Sequence, residues 1–424
     1  MRNLPSRTLL CVACVLSASA VAVAQSVPVE TGSPLYSGFQ MPTVGGSLHY
    51  ALNVGERVTF GYNPQVGTVS AATFSGNLGY ITPSIRMPTT INYTGGYLQT
   101  TYGNPSAFFQ DATITQGYNT RKLHLTLSDT VRYLPETSAS GVYGIIGAGT
   151  TTGVTTPQGV LVPFATRVEN SVIGDVVQEI TGKTSIDGSG FYAIERFPGY
   201  SGGIQTNIYS LRGAVNHRLD GRSSFAVDYS YNDFSYLNVT GAFRTQAVKG
   251  QYKLQMTRSF SFSAAAGPQY TGASALTKRP GSWSYVADAQ ATYLGDLASA
   301  FAVNVSFTRA TNGGSGITFG AINNTVSGSV TRRITRSMQA TALGSYSSST
   351  GLQLITANQI NTSSAIGSIQ ANRAFTRSIS AFVSYTAQHQ SVQGFSAGVT
   401  PLIGLQQILG FGVTYSPSPI HLGR

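Results

Sequence analysis

Five histidines, His49, His124, His217, His389 and His421, stand one at a time along a chain of 424 residues. No two share a metal-ligand spacing such as that of H-E-x-x-H, so no metal site is expected. The two cysteines, Cys11 and Cys14, both fall in an amino-terminal leader. The mature chain therefore lacks disulfides and thiolate ligands. A hydrolase needs a nucleophile with a positioned histidine, and His389 near Ser391 is the one loop-side pair that offers this. An interfacial polar residue at a strand end explains His389 better. His124 and Asp129 lie five apart and would point to opposite faces of a strand. Gly313-Gly314-Ser315-Gly316 has the look of a phosphate loop, but no helix or lysine follows it, and a loop tip accounts for it. Neither a catalytic group nor a cofactor is expected, and the chain does not read as an enzyme.

The elements that would position any of these residues come from composition and pattern. Charged residues make up 10% of the chain, while glycine reaches 48 and tyrosine 23. Such a mix is unusual for a soluble globule. Residues 1–24 read as a secretory signal, with Arg2 and Arg7 ahead of an apolar stretch from Leu9 to Val23 and a small-x-small site at Ala22-Val23-Ala24. Removing Arg2 and Arg7 from the formal +11 leaves +9 on the mature chain. There is no basic run or aromatic-basic module, so nucleic acid is excluded and attraction to anionic lipid head groups or anionic solutes is the better reading.

Beyond the leader no run of about 18 apolar residues occurs, so a membrane could be crossed only by a closed barrel. Two-residue alternation recurs as that requires. Phe301, Val303, Val305 and Phe307 oppose Ala302, Asn304, Ser306 and Thr308. Ile379 to Gln390 divides the same way, with Phe382 alone breaking the rule. Trp283 to Tyr293 places aromatics at both ends of a face otherwise made of alanine, the mark of a lipid-facing strand between two girdles. Short turns recur at roughly 40-residue spacing, without further self-similarity between the units, and longer connections alternate with them. Strands are expected near 57–63, 74–81, 92–101, 108–118 and 121–133, and eleven more run from 204–217 to 405–415. The total is about sixteen, with a count two higher or lower allowed. The fold expected is an all-β, transmembrane, antiparallel up-and-down barrel over 57–415, preceded by a periplasmic stretch 25–56 and followed by a tail, 416–424.

In the last strand Gly410, Val413 and Tyr415 are similar to the carboxyl-terminal assembly signal of bacterial outer-membrane barrels. With the leader, the alternation and the turn asymmetry, the chain resembles outer-membrane β-barrel proteins, and sixteen-stranded general porins are nearest in size. It departs from them in the tail, Ser416 to Arg424, and in its basic balance. The resemblance implies an outer-membrane location, contact with outer-membrane lipids, engagement of the barrel assembly machinery through Gly410 to Tyr415, and compatibility with a homo-oligomer. It also implies a passive pore for small hydrophilic solutes. The alternative is a non-conducting envelope barrel serving assembly, polysaccharide export or adhesion.

Residues 134–203 lack clear alternation and hold six of the fifteen acids, Glu136, Glu169, Asp175, Glu179, Asp187 and Glu195. Val168, Val172, Val176 and Ile180 recur every four residues and suggest a short helix. The expected layout makes this one long loop between strands 5 and 6. A porin's constriction loop occupies that place, so the resemblance implies that Asp175 and Glu179 line the narrowest part, opposite a basic wall with Arg212, Lys249, Lys253 and Asp288. Asp228 is a further inward position. That wall would give a weak anion preference. The alternative is an extracellular loop with solvated charges.

Overall fold

In a computed structural model the described residues are 46–61, 68–100, 106–136, 165–198, 204–237, 239, 241–274, 280–295, 301–314, 319–352, 360–394 and 403–422. They form β1 (Ser47–Phe60), β2 (Val69–Ile81), β3 (Thr89–Thr100), β4 (Ala107–Asn119), β5 (Leu123–Glu136), β6 (Ala165–Glu179), β7 (Thr184–Arg196), β8 (Thr206–Arg218) and β9 (Ser223–Tyr236). The second half holds β10 (Ala242–Gln255), β11 (Phe260–Thr271), β12 (Ser282–Leu294), β13 (Ala302–Asn312), β14 (Ala321–Thr335), β15 (Met338–Gly351), β16 (Asn361–Ala374), β17 (Ile379–Gln393) and β18 (Gly404–Tyr415), then a two-residue β19 (Ile420–His421). Each strand pairs antiparallel with its chain neighbour, and β1 pairs with β18 from Leu52↔Tyr415 to Phe60↔Gln407. The sheet is thus a closed up-and-down barrel of eighteen strands plus β19. Among the described residues no helix is long and apolar enough to cross a membrane.

Two expectations need correction. The strand count is eighteen, not about sixteen, and the additional pair is β6 and β7, inside the segment expected to be one long loop with a short helix. A four-residue spacing fits a helical stripe, but it also returns to one face of a strand. Val168, Val172 and Val176 do share the outer face of β6, and β-branched valine favours the extended form. The connection between β5 and β6 shrinks to residues 137–164, which lie outside the described residues. The barrel also begins at Ser47, ten residues before the boundary expected at 57.

Closure depends on a tight row across three strands. Phe382 faces Gly412, and Gly412 faces Gly55. A Cβ added at Gly412 would lie 2.5 Å from the Val54 carbonyl oxygen and 2.7 Å from the Phe382 ring. Glycine is needed there because the Val54 carbonyl and the inward Phe382 ring both close on the seam, which is why Phe382 alone breaks the alternation of its strand. The tail then continues the seam. Ile420 and His421 pair with Leu48 and Ser47, the Leu422 amide donates to Gly46 O at 2.7 Å, and Ser47 Oγ lies 3.0 Å from His421 Nδ1.

Connections at one end of the barrel span two to seven residues, and those at the other five to twenty-eight. Both ends of the described chain, Gly46 and Leu422, lie at the short-turn end. The short turns share a device. The side-chain oxygen of Thr120, Thr181, Thr257 or Thr376 accepts from the amides two and three residues on, at 2.9–3.4 Å. Asp220 accepts from Arg222 and Ser223, both at 2.6 Å, and Thr335 from Ser337 at 3.3 Å. These oxygens replace the ladder bonds that the chain loses as it reverses.

Two outcomes follow for stability. Gly412→Val should destabilise closure by about 1–3 kcal/mol, seen as a smaller heat-modifiable fraction on a semi-native gel, whereas Gly328→Val on the outer wall should be tolerated. The Arg222 amide, then the Ser223 hydroxyl and amide, hold the Asp220 carboxyl below the usual range. Its stabilisation is present above the ordinary aspartate value and is lost as pH falls through the lowered one. The gap in urea midpoint between wild type and Asp220→Ala should therefore close on acidification; a gap independent of pH would contradict this.

Candidate pore lining

Alternation sorts the side chains into two populations. Outward positions carry Leu52, Val54, Phe74, Leu127, Leu211, Val227, Tyr252, Trp283, Val305, Val326, Ile369, Val383 and Phe411, all exposed. Inward positions carry Asn53, Thr73, Asn77, Ser210, Asn232, Thr245, Gln269, Asn323, Ser345, Ser364, Gln388 and Gln406, all buried. Apolar groups outside and polar groups inside invert the order of a soluble globule. Trp283 and Tyr293, ten positions apart on β12, stand about 25 Å apart along the barrel axis at about 3.3 Å per residue and a tilt of roughly 40°, which is the height of an apolar band.

All seven expected pore-lining residues occupy inward positions: Asp175 and Glu179 on β6, Arg212 on β8, Asp228 on β9, Lys249 and Lys253 on β10, and Asp288 on β12. Their arrangement differs from the expected one. Asp175 and Glu179 belong to the wall itself and face no basic wall from a loop, because β6 is a barrel strand. The acids and bases are instead interleaved on neighbouring strands. Lys249 Nζ lies 2.6 Å from Asp288 Oδ2 and 3.9 Å from Asp228 Oδ2, and Arg212 Nη2 lies 3.4 Å from the same Asp228 oxygen. Four strands, β8, β9, β10 and β12, are thereby tied together across their inner face, the Lys249–Asp288 pair reaching over β11.

A second cluster was not foreseen. Arg132 reaches Asp111 at 3.1 Å and Glu169 at 3.9 Å, and Arg167 reaches Glu169 at 3.0 Å and Glu195 at 3.7 Å. Once β6 and β7 are strands, parity alone places Glu169, Asp187 and Glu195 inward. The described inner wall between the rims carries six cations, Arg57, Arg132, Arg167, Arg212, Lys249 and Lys253, and seven acids, Asp111, Glu169, Asp175, Asp187, Glu195, Asp228 and Asp288. Apart from Arg57 they lie on β4 to β12. Among the described residues, β13 to β18 and β1 to β3 face inward with hydroxyls, amides and apolar groups, plus His49 and the turn-end Arg333.

Near the long-loop end the lining turns apolar. Ile173, Phe191, Ile208, Phe234, Tyr236 and Phe243 face inward and pack with Leu352, Phe319 and Ile204 from the connections. Phe234 stacks on Phe243 at 4.5 Å, and Phe319 meets Tyr236 edge-on at 5.0 Å. The described ends of the β13–β14 connection are seated on this wall, with Tyr236 Oη donating to Gly313 O at 3.0 Å. Gly320 has a φ of +79°, and a Cβ there would lie 2.6 Å from Phe243. Phe319 and Leu352, from the β13–β14 and β15–β16 connections, thus join the aromatics in the tail of β9 and Phe243 of β10 in one apolar cluster. Their sequence signal is a run in which inward parity holds but polarity fails, Asn232-Asp233-Phe234-Ser235-Tyr236.

His389 faces outward on β17, and Asp129 faces outward while His124 faces inward, as their spacing implies. Asn170 Nδ2 donates to Asp129 Oδ1 at 2.8 Å. Among the described residues no three histidine, aspartate or glutamate side chains cluster as a metal site.

No family model matches the chain, and no curated protein matches it. Solved structures do. Pseudomonas aeruginosa OccK2 (OpdF) in complex with glucuronate is 9% identical, covering 88% of this chain and 98% of its own, with a TM-score of 0.44. Pseudomonas aeruginosa OpdQ is 8% identical over 88% and 99%, at 0.43. The siderophore receptor PirA of the same organism is 9% identical over 89% and 81%, at 0.42. The barrel itself rests on this chain's own strand pairing.

Replacing Tyr236 and Phe243 together by alanine should release Gly313 and Phe319 from this wall and lower the urea midpoint of the folded barrel, each buried aromatic removed costing about 3–5 kcal/mol. An unchanged midpoint in the double variant would show that these rings carry none of the packing at this end.

Proposed function

We propose that the chain is an outer-membrane channel through which small hydrophilic solutes diffuse passively. One observation carries this reading: a closed, described cylinder whose outer belt is apolar between aromatic rims and whose inner wall is polar. Lipid demands the first feature and water accepts the second. In this layout the short turns face the periplasm.

The six cations of the described inner wall stand against seven acids, most of them interleaved and several ion-paired, so the wall gives little support to an anion preference. A preference for anions comes from the periplasmic mouth. There Arg86, Arg121, Lys122, Lys183, Arg218, Arg222, Arg258, Arg332, Arg333, Arg336, Arg373 and Arg377 are all exposed, against Glu179 and Asp220 among the described residues. Such a collar raises the local concentration of anions within a Debye length.

A second reading, the non-conducting envelope barrel, is favoured by the burial of inward side chains. Arg57 is 1% exposed and Gln388 and Gln406 are each 3% exposed. Planar-bilayer recording on the purified mature chain separates the two. A diffusion channel gives discrete conductance steps with chloride more permeant than potassium. This preference should fade between about 0.1 and 1 M salt as the Debye length falls from roughly 10 to 3 Å. Heat-modifiable, folded protein that gives no steps would establish the second reading.

A further inference from the structure

The basic collar has a companion that solute selection does not explain. Six of the eight short turns place a large apolar side chain in the open beside their cations. Ile85 is 90% exposed next to Arg86, and Phe375 is 62% exposed between Arg373 and Arg377. Leu219 accompanies Arg218 and Arg222, Met256 accompanies Arg258, and Ile334 stands between Arg333 and Arg336; all three are more than half exposed. A mouth that only attracted dissolved anions would gain nothing from these groups, and each costs free energy in water.

Three of the cations also stand on the outer wall. Arg332 and Arg373 occupy outward positions of β14 and β16. The Arg86 guanidinium lies 5.6 Å from the ring centroid of the outward Tyr118 and donates to its Oη at 3.2 Å, and Arg373 lies 5.6 Å from the Phe375 centroid. A guanidinium laid against an aromatic ring at the edge of an apolar belt keeps other N–H groups free of that ring, so it can present a fork to a phosphate.

We infer that this rim is a lipid-headgroup site, in which the outward arginines bind the phosphates of anionic phospholipids in the periplasm-facing leaflet while the neighbouring apolar side chains enter the boundary of the acyl chains. The pairing of basic and apolar groups selects a lipid surface over a dissolved anion, because only a lipid offers a phosphate and hydrocarbon at the same depth. Such a site fixes the depth of the barrel and the end it presents to the periplasm. The inference rests on the outer-membrane reading, though not on conduction.

The test uses the folded mature chain in vesicles of phosphatidylcholine, alone or with roughly a quarter phosphatidylglycerol. After gentle detergent extraction, the lipids carried by the barrel are weighed by native mass spectrometry. Wild type should retain phosphatidylglycerol over phosphatidylcholine by roughly tenfold relative to the bulk mixture. The triple variant Arg86→Gln, Arg332→Gln, Arg373→Gln should retain both near their bulk ratio, and Arg309→Gln at the other rim should behave as wild type. Absence of enrichment in wild type, or full enrichment in the triple variant, overturns the inference. Loss of enrichment on adding excess inorganic phosphate would assign the collar to free anions and overturn it also. Should the folded triple variant be unobtainable, the wild-type enrichment and the phosphate competition still decide. A chain that enters neither kind of vesicle refutes the outer-membrane reading itself, an outcome distinct from insertion without lipid preference.

Discussion

A backbone that crosses hydrocarbon must pair every N–H and C=O within itself, since each orphan costs several kcal/mol where no water is present. In this chain the requirement comes down to one contact, the pairing of β1 with β18. Seventeen of the strand pairs join neighbours in sequence and can zip locally. The last brings together residues at opposite ends of the chain, from Leu52 with Tyr415 to Phe60 with Gln407. The glycine row under Phe382, and the tail that continues the seam through Ile420 and His421, are concentrated at this junction. A local sequence reading sees the two glycines as unremarkable and the tail as an appendage.

Once the cylinder is closed, the faces follow. One face of each strand carries exposed apolar side chains and the other mainly polar ones, and the two-residue period translates directly into a belt and a lining. The inner charges illustrate what water and low dielectric do together. Lys249, Asp288, Asp228 and Arg212 sit close enough to compensate one another, so a wall dense in charge has little net field. The net charge of the molecule is displaced to the short turns, where it is exposed and surrounded by apolar side chains. Those turns owe their shape to a threonine or aspartate oxygen and their sign to the arginine or lysine that follows, so hairpin geometry and surface charge arise from one short segment.

The alternation of apolar and polar residues, the aromatic ends of β12 and the two classes of connection are all properties of near neighbours along the chain. The sequence alone therefore determined that this protein is an antiparallel barrel, oriented by its turns, with the inward parity of Arg212, Asp228, Lys249, Lys253 and Asp288. It was ambiguous where two periods coincide. Val168, Val172 and Val176 satisfy a helix and a strand alike, and only pairing with β5 and β7 decided between them, adding two strands to the wall. Which charges neutralise which and how the seam is sealed were settled by the tertiary structure, because each brings together residues from distant strands whose separation depends on the strand count and on closure. Phe382 shows the difference: in the sequence it breaks the rule of its strand, and in the barrel it covers the row of glycines on which closure depends.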